Sequence, residues 1–366
     1  MALFGIGKTK AYLGVDIGTA GIKMVELHES GGRAKLHTYA YMLRGPDEIT
    51  VKLLDDPAGT SQLLKAMIKK SKATAVKAVT GLALSSVFSS VVSVPKLSEK
   101  EQKGAIEIQA RKLISMPLEE LILDYKVITP PELLKGKEAE SVKNIQVLLT
   151  AAPKSLVAKY LAVFRGAGLE LASLETEAFA LIRALVGKDR STLMIVDIGA
   201  QRTSTLVVVG GIPYLSRSID VGAAKFTKAA AEVLGVPEKQ AEAMKNDFRT
   251  PGSGSPGGVP PVFSALIDQI AAEINFSLKL FSGLDIQTSP DQGAANIKTV
   301  EKVILTGGES LLPGFDEYLA QKLNLRVFRG DPWARILYPD EVRPLLDEIG
   351  PRFSVAVGLA MREFES

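Results

Sequence analysis

The chain has 366 residues, a net charge of +3, and 46% hydrophobic and 23% charged residues, values ordinary for a globular protein with room for two sizeable cores. It has no cysteine and two histidines, His28 and His37, which excludes disulfides, zinc ribbons and thiol catalysis and leaves little for a histidine-based metal site. Any chemistry must therefore rest on carboxylates, hydroxyls, lysines and backbone groups.

The composition also argues against a membrane-spanning segment and against nucleic-acid binding. No segment approaches the roughly 18 uncharged apolar residues of a spanning helix, and the N-terminus lacks the apolar region of a signal peptide, so we expect a cytoplasmic protein. The lysines between Lys65 and Lys77 recur at helical spacing, which favours a solvated helix face over a membrane-surface or acidic-partner patch. No aromatic residues interleave with them, so nucleic acid is not expected as a partner.

The first predicted elements are two strands around an Asp-x-Gly turn. An apolar run closes with Val15-Asp16-Ile17-Gly18, and residues 22–27 form the next strand. Three elements follow: a strand over 35–42, a helix over 59–72 and a strand over 77–82. This β-β-β-α-β order is typical of half a ribonuclease-H-like lobe. His28 and His37 lie on these strands without a partner pattern, and we expect half-buried packing residues rather than ligands.

The stretch from about 83 to 168 is predicted to be a compact α/β unit inserted into the first lobe. Its elements are an alternating segment over 87–95, a helix from Ser98 to about Ser115, a buried strand over 144–152, and a helix from Pro153 to Phe164. Ser98 and Glu101 have the spacing of a capping box, which marks where the first of these helices begins.

The second half of the chain repeats the opening motif. After a strand over 171–175 and a helix over 176–186, the motif returns as Val196-Asp197-Ile198-Gly199, followed by a strand over 203–209. Six elements complete the chain: helices over 221–234, 237–248 and 262–281, a strand over 302–306, a helix that begins at 311–313, and a final helix over 354–361. The Gly-Ser-Pro-rich tract at 250–261 predicts a flexible loop, to which we assign no chemistry.

The duplicated Asp-x-Gly turns are the main indication of a binding site. One such turn alone is weak evidence, because tight hairpins use Asp and Gly for conformational reasons. A third turn, Thr306-Gly307-Gly308, follows a strand and offers bare backbone against which an adenosine could lie. Three turns in the order phosphate, phosphate, adenosine predict a nucleotide site.

Physical chemistry suggests roles for the residues of these turns. Asp16 and Asp197 would hold Mg²⁺, largely through water, as that ion prefers. Backbone N–H groups would cradle the β- and γ-phosphates with hydroxyls nearby. The groups concerned are the N–H groups around Gly18, Thr19, Ala20, Gly199, Ala200 and Gln201 and the hydroxyls of Thr19 and Thr203. Lys23, on the strand after the first turn, either joins the site or points away as a solvated residue.

These motifs resemble the actin-like ATPase superfamily and, within it, the PilM family of type IV pilus assembly proteins. The superfamily-like segments are 14–27, 196–200 and 305–308, and the PilM-like ones are 117–120 with 124–125, 148–152, and 177–181 with 183–185. The resemblance implies ATP bound between two lobes. It also implies that the cytoplasmic N-terminal peptide of the inner-membrane protein PilN binds near the inserted unit, which would link it to the pilus motor complex and other inner-membrane components.

With that resemblance, the fold is expected to be actin-like α/β, with duplicated ribonuclease-H-like lobes and an inserted α/β subdomain. Its four units would be a first-lobe core of 1–82 with 169–190 and 352–366, the inserted subdomain at 83–168, a second-lobe core of 191–240 with 298–351, and an accessory subdomain at 241–297.

The resemblance also implies further site residues. Gly222 and Lys225 would lie near the nucleotide, Glu242 and Lys245 would reach ribose or base, and Glu309 would belong to the adenosine turn. Glu177 would orient the attacking water. Two plainer explanations stay open: a Glu and a Lys three apart on a helix often form a surface pair, and a glutamate at a helix start complements the helix dipole.

The expected function is an ATP-binding pilus scaffold with slow or absent hydrolysis. One alternative is a small-molecule kinase of the same superfamily, although no second polar cluster suited to a hydroxyl acceptor is visible. Another is an FtsA-like filament protein, but residues 361–366 lack the amphipathic anchor expected of one. Whether the chain forms homo-oligomers is left open.

Overall fold

The structure, a computed structural model, describes residues 11–130, 134, 142–247, 258–284 and 299–364. Its strands are β1 Ala11–Gly18, β2 Gly21–Ser30, β3 Arg33–Leu43, β4 Lys77–Leu82, β5 Phe88–Pro95, β6 Leu121–Val127, β7 Asn144–Pro153, β8 Glu170–Thr176, β9 Leu193–Ile198, β10 Thr203–Val209, β11 Ile212–Ile219, β12 Lys302–Thr306 and β13 Arg326–Arg329. Its helices are α1 Pro57–Ser71, α2 Glu99–Leu113, α3 Lys154–Ala167, α4 Glu177–Leu185, α5 Ala223–Leu234, α6 Glu238–Asp247, α7 Pro261–Ser282, α8 Phe315–Leu323 and α9 Arg343–Ala360.

Local chemistry explains where several helices begin and end. The Asp56 carboxylate accepts a hydrogen bond from the Gly59 N–H at the start of α1, and Pro57 has a fixed φ suited to the first helical turn. At the start of α2 the backbone N–H and the hydroxyl of Ser98 both donate to the Glu101 carboxylate, as the capping-box spacing predicted. Helix α3 ends at Gly168, whose φ of 81° favours glycine.

Two five-stranded sheets share one topology. The strand order is β3-β2-β1-β4-β8 in the first sheet and β11-β10-β9-β12-β13 in the second. In each, two antiparallel pairings are followed by two parallel ones. This repeat confirms the predicted duplicated α/β fold and brings β1 and β9, which carry Asp16 and Asp197, to equivalent central positions.

A three-stranded sheet in the order β5-β7-β6 lies between β4 and β8 in the chain, as expected for an insertion into the first lobe. Its core, which includes Val94, Ile106 and Val147, contains no residue of α3. Helix α3 instead packs Val163 and Phe164 into the core beneath the first sheet. The predicted inserted segment at 83–168 therefore includes one helix that packs with the first lobe. The predicted unit boundaries otherwise stay predictions.

Helix α9 joins the two lobes. It begins at Arg343, eleven residues before the predicted start at 354, and continues through Pro351. The Pro351 carbonyl accepts hydrogen bonds from the Thr306 hydroxyl and the Gly307 N–H, both at 3.0 Å, which ties the helix to the end of β12. Its last turns pack Ala356 and Ala360 beside the buried face of β2. No helix among the described residues is long and apolar enough to cross a membrane.

We predict that Gly358→Ala destabilises the protein by about 1–3 kcal/mol, because overpacking a rigid contact costs this much. A Cβ at position 358 would lie 1.9 Å from the Ala180 carbonyl oxygen, so α9 would have to move away from α4. Denaturant unfolding measures the effect. Gly104→Ala is the matched control, because a Cβ there meets no atom within 4 Å; better helix propensity should stabilise it by about 0.5–1 kcal/mol. Equal stability of the two variants would contradict the close-contact explanation.

Candidate functional site

The ends of β1, β9 and β12 bring the three predicted turns together. Asp197 pairs in register with Ser204 on one side and with Thr306 on the other. Gly307 follows Thr306 with a φ of 84°, and a Cβ there would lie 2.6 Å from Asp197 Oδ1 and 2.3 Å from the Ile198 carbonyl oxygen. Only glycine therefore allows this turn to lie directly against the second Asp-x-Gly motif.

Lys23 faces the site. It is the cross-strand partner of Asp16, and its Nζ lies 2.9 Å from Asp16 Oδ2 with only 14% of the side chain exposed. Burial alone would lower the pKa of Lys23, but Asp16, Asp197 and Glu177 together raise it. Of the two alternatives left open by the sequence, the structure therefore has the lysine pointing inward as a permanent cation.

The carboxyl groups of Glu177 and Asp197 lie close enough to Asp16 to be affected by its negative charge. Burial, followed by the charges of Asp16 and Asp197, raises the pKa of Glu177 to about 8. Burial and the charge of Asp16 raise the pKa of Asp197 to about 6, and Lys23 offsets this only in part. Three carboxyl groups thus face one lysine, and the site as it stands retains a proton near neutral pH.

This donor set fits a hard divalent cation. Mg²⁺ prefers oxygen ligands and keeps several waters, so two carboxylates suffice for it. Burial is the largest cause of the raised pKa values of Asp197 and Glu177, and the negative charge of Asp16 raises them further than Lys23 lowers them. A divalent cation held by Asp16 and Asp197 would relieve this repulsion.

The second turn is a tight, glycine-lined cradle. The Gly199 N–H donates to the Arg202 carbonyl at 2.9 Å, and the N–H groups of Ala223 and Ala224, at the start of α5, donate to Gly199 and Ala200. A Cβ at position 222 would lie 2.7 Å or less from backbone atoms of this turn. Gly222 is therefore required where α5 meets the second turn.

Not every predicted group is available to a phosphate, since the Gly199 N–H already donates to the Arg202 carbonyl. Thr203 is fully buried and its hydroxyl donates to the Val221 carbonyl at 2.6 Å, so this hydroxyl supports the second turn rather than facing a phosphate. Gly18, Thr19 and Ala20 are half-buried at the first turn. Lys225 is exposed on α5.

Lys245 is fully buried in an ionic network beside the third turn. Its Nζ lies 2.6 Å from Glu309 Oε1 and 2.8 Å from Glu242 Oε2, and it donates to the Thr227 hydroxyl at 2.8 Å. Glu309 is also fully buried. The open alternative of a surface pair is therefore wrong for Glu242 and Lys245. The network ties α5 and α6 to the third turn, where Gly308 and Glu309 begin a short 3₁₀ helix.

Two contacts of the site had no signal in the sequence. Leu84 follows β4 after a single residue, Ala83. Its N–H donates to the Glu177 carboxylate at 3.4 Å. The Gln201 side-chain amide donates to the Ile49 carbonyl at 2.9 Å and so bridges the second turn to a loop of the first lobe. Both join residues far apart in the chain, so neither follows from local pattern.

Comparisons with known proteins identify the family. The family described as type IV pilus assembly protein PilM matches residues 14–364. The chain belongs to the PilM family. A solved structure of a PilM-PilN type IV pilus biogenesis complex contains a chain 26% identical to this one, with a TM-score of 0.79 over 97% of this chain and 99% of that one. This member of the PilM family is therefore an actin-like type IV pilus assembly protein.

More distant relatives share the fold. MreB5 of Spiroplasma citri, solved bound to AMPPNP, has a TM-score of 0.52 at 13% identity over 96% of this chain and 95% of that one. The cell division protein FtsA of Borreliella burgdorferi is 26% identical over 47% of this chain and 43% of its own length. FtsA of Neisseria meningitidis serogroup B is 24% identical over 69% and 64%. The chain thus spans less than two thirds of either FtsA relative.

Proposed function

We propose that this PilM-family protein is a cytoplasmic ATP-binding component of the type IV pilus machinery at the inner membrane. It would bind the N-terminal cytoplasmic peptide of PilN and connect PilN to the pilus motor complex. The observation that carries this proposal is the match to the PilM family over 14–364, together with a structural similarity to PilM from a PilM-PilN complex that covers nearly the whole of both chains.

The nucleotide would bind where the three turns meet. Backbone N–H groups at Gly18–Ala20 and at Ala200 and Gln201 would receive the phosphates, and Lys23 would supply a positive charge between them. Asp16 and Asp197 would hold Mg²⁺, which neutralises phosphate charge when bound. The Gly307-Gly308 turn would lie against the adenosine. Lys245 and Glu242 would set the position of that turn through Glu309, from their buried network.

Glu177 is the proposed water-orienting residue, and its environment argues for slow hydrolysis. A carboxyl that retains its proton near neutral pH is a poor acceptor for a proton from water. The Mg·ATP complex carries a net negative charge, so its binding would not favour the ionised form, and Glu177 would stay a poor proton acceptor in the loaded state. ATP would then act mainly as a ligand that sets the arrangement of the two lobes, and slow hydrolysis of the ATP would end that arrangement.

The same carboxyl offers a connection to the partner-binding region. Leu84, whose N–H donates to Glu177, begins the 3₁₀ turn that leads into the inserted sheet. Leu84 also lines a small pocket where that sheet meets β11, together with Leu148 and Tyr214. A change at Glu177 on nucleotide binding would therefore reach the first connection to the inserted unit. This is how ATP would tune affinity for PilN.

Calorimetric titration with a peptide copying the cytoplasmic N-terminus of the cognate PilN tests the proposal. We expect micromolar or tighter binding to the Mg·ATP-loaded protein, and weaker binding without nucleotide. A peptide of the same composition in scrambled order is the control. If the ordered and scrambled peptides bind equally, or neither binds, the proposed partner is wrong.

A further inference from the structure

The chain's two histidines lie side by side at the edge of the first sheet. The rings of His28 and His37 stack with centroids 4.1 Å apart and an interplanar angle of 9°. His28 Nε2 lies 2.6 Å from Glu26 Oε1, and one ligand atom from each of these three residues lies within 4.8 Å of the others. Of the two histidines expected to be half-buried, His28 is half-buried and His37 is exposed.

A β-bulge creates this cluster. Glu26 and His28 are two residues apart on β2 and so share one face of the sheet. Glu26 pairs with Thr38 and Leu27 pairs with Leu36, which leaves His37 as the extra residue on β3. A bulge re-aims a side chain, and here it turns His37 onto the face that carries His28. Regular pairing would not have brought the three residues together.

Hydrogen bonds hold the Glu26 carboxylate in a fixed position. Its side chain is fully buried and accepts hydrogen bonds from the Thr74 N–H at 2.8 Å, the Thr74 hydroxyl at 2.6 Å and the Ala75 N–H at 3.2 Å. A fixed, charged oxygen beside an imidazole is a common arrangement in protein metal sites.

We propose that Glu26, His28 and His37 form a binding site for Zn²⁺. The ion would replace the proton between His28 Nε2 and Glu26 Oε1, and water would complete its shell. Imidazole and carboxylate are the ligands that zinc takes when thiolate is absent. The two-histidine, one-carboxylate set lies on the first sheet and shares no residue with the proposed nucleotide site.

The stacked arrangement is the metal-free state. A metal lies in the plane of each imidazole that binds it, so two nearly parallel rings cannot share one ion. His37 is exposed, and its ring would turn out of the stack toward the ion. Glu26 and His28 would need to separate by less than about 1 Å to admit metal–ligand bonds of roughly 2 Å. His37 is thus the movable ligand, and its removal should be structurally harmless.

The test is a zinc titration of the full chain without an affinity tag, stripped of metal, in competition with a chromophoric chelator. We expect one Zn²⁺ per chain, with binding weakened at least about tenfold in His37→Ala. Co²⁺ serves as a spectroscopic probe, because its visible absorption reports nitrogen and oxygen ligands in a low-coordinate site; this absorption should disappear in the same variant.

Two control variants separate this site from others. Glu29→Gln removes an exposed carboxylate from the same strand, outside the cluster, and Asp197→Asn removes one from the nucleotide site; both should keep full zinc affinity. Equal affinity in His37→Ala and the unmodified protein would overturn the proposal. So would zinc binding that is lost only in Asp197→Asn, or a dissociation constant of the unmodified protein above about 100 μM.

Discussion

The Asp197→Asn variant is expected to lose Mg²⁺-dependent ATP binding while keeping its fold. Asp197 lies at the end of β9 against Gly307, and its carboxylate would act on the ion rather than on the core. The amide has nearly the same size but no charge to offer Mg²⁺. We expect affinity for Mg·ATP to fall at least about 100-fold, a loss of roughly 2.7 kcal/mol, as measured by calorimetry.

The nucleotide-free variant should be at least as stable as the unmodified protein. Burial and the charge of Asp16 both disfavour ionised Asp197, so removing that charge relieves repulsion. Thermal unfolding with and without Mg·ATP therefore tests two expectations. Without ligand, the unfolding midpoint of Asp197→Asn should equal or exceed that of the unmodified protein. Adding Mg·ATP should not raise the midpoint of the variant. Asp220→Asn, at a position with 73% of the side chain exposed, should retain the ligand-induced shift. An unchanged ATP affinity of Asp197→Asn would place the ion elsewhere.

Elements with a strong internal pattern could be predicted from the sequence. The buried runs of β4 and β12 were predicted with the bounds that the structure has, because both are continuous apolar strands inside parallel pairings. Strands β6 and β13 were missed. Each lies at the edge of its sheet, and their residues are mostly exposed or half-buried, so hydrophobic periodicity is weak there.

Parts of the site were predictable for a related reason. The duplicated motif located Asp16 and Asp197, and glycine pairs located the turns, because these depend on local backbone requirements. The directions of side chains were not predictable. Thr203 turns its hydroxyl to Val221, and Lys245 pairs with Glu309 across 64 residues of chain. Such contacts depend on how α5, α6 and β12 pack, which no local pattern encodes.

The histidine cluster shows the same limit. His28 and His37 are nine residues apart on paired strands, and their contact depends on one extra residue in β3. A bulge changes which face a side chain occupies, and strand alternation alone predicts the opposite face. Where β3 bulges is set by its pairing with β2, so the cluster emerges only from the folded sheet.

Glu177→Gln is expected to stabilise the nucleotide-free protein, and increasingly so as pH rises. An unfolded glutamate has a pKa near 4.5, whereas the folded pKa of Glu177 is raised to about 8 by burial and by the charges of Asp16 and Asp197. Between these values the folded state holds a proton that the unfolded state releases. The free energy of unfolding therefore falls as pH rises from about 5 to 8. Glutamine releases no proton, so the variant lacks this loss.

Urea unfolding at several pH values, with a chelator present to remove divalent cations, measures the difference. We expect similar stability at pH 5 and a gain on the order of 2 kcal/mol for Glu177→Gln at pH 8, since each unit of pKa shift corresponds to about 1.4 kcal/mol and partial solvent access reduces the total. Glu170→Gln, an exposed position on β8, should follow the unmodified protein at every pH. Parallel curves for Glu177→Gln and the unmodified protein would mean that Glu177 is ionised throughout, and with that the argument for slow hydrolysis would fail.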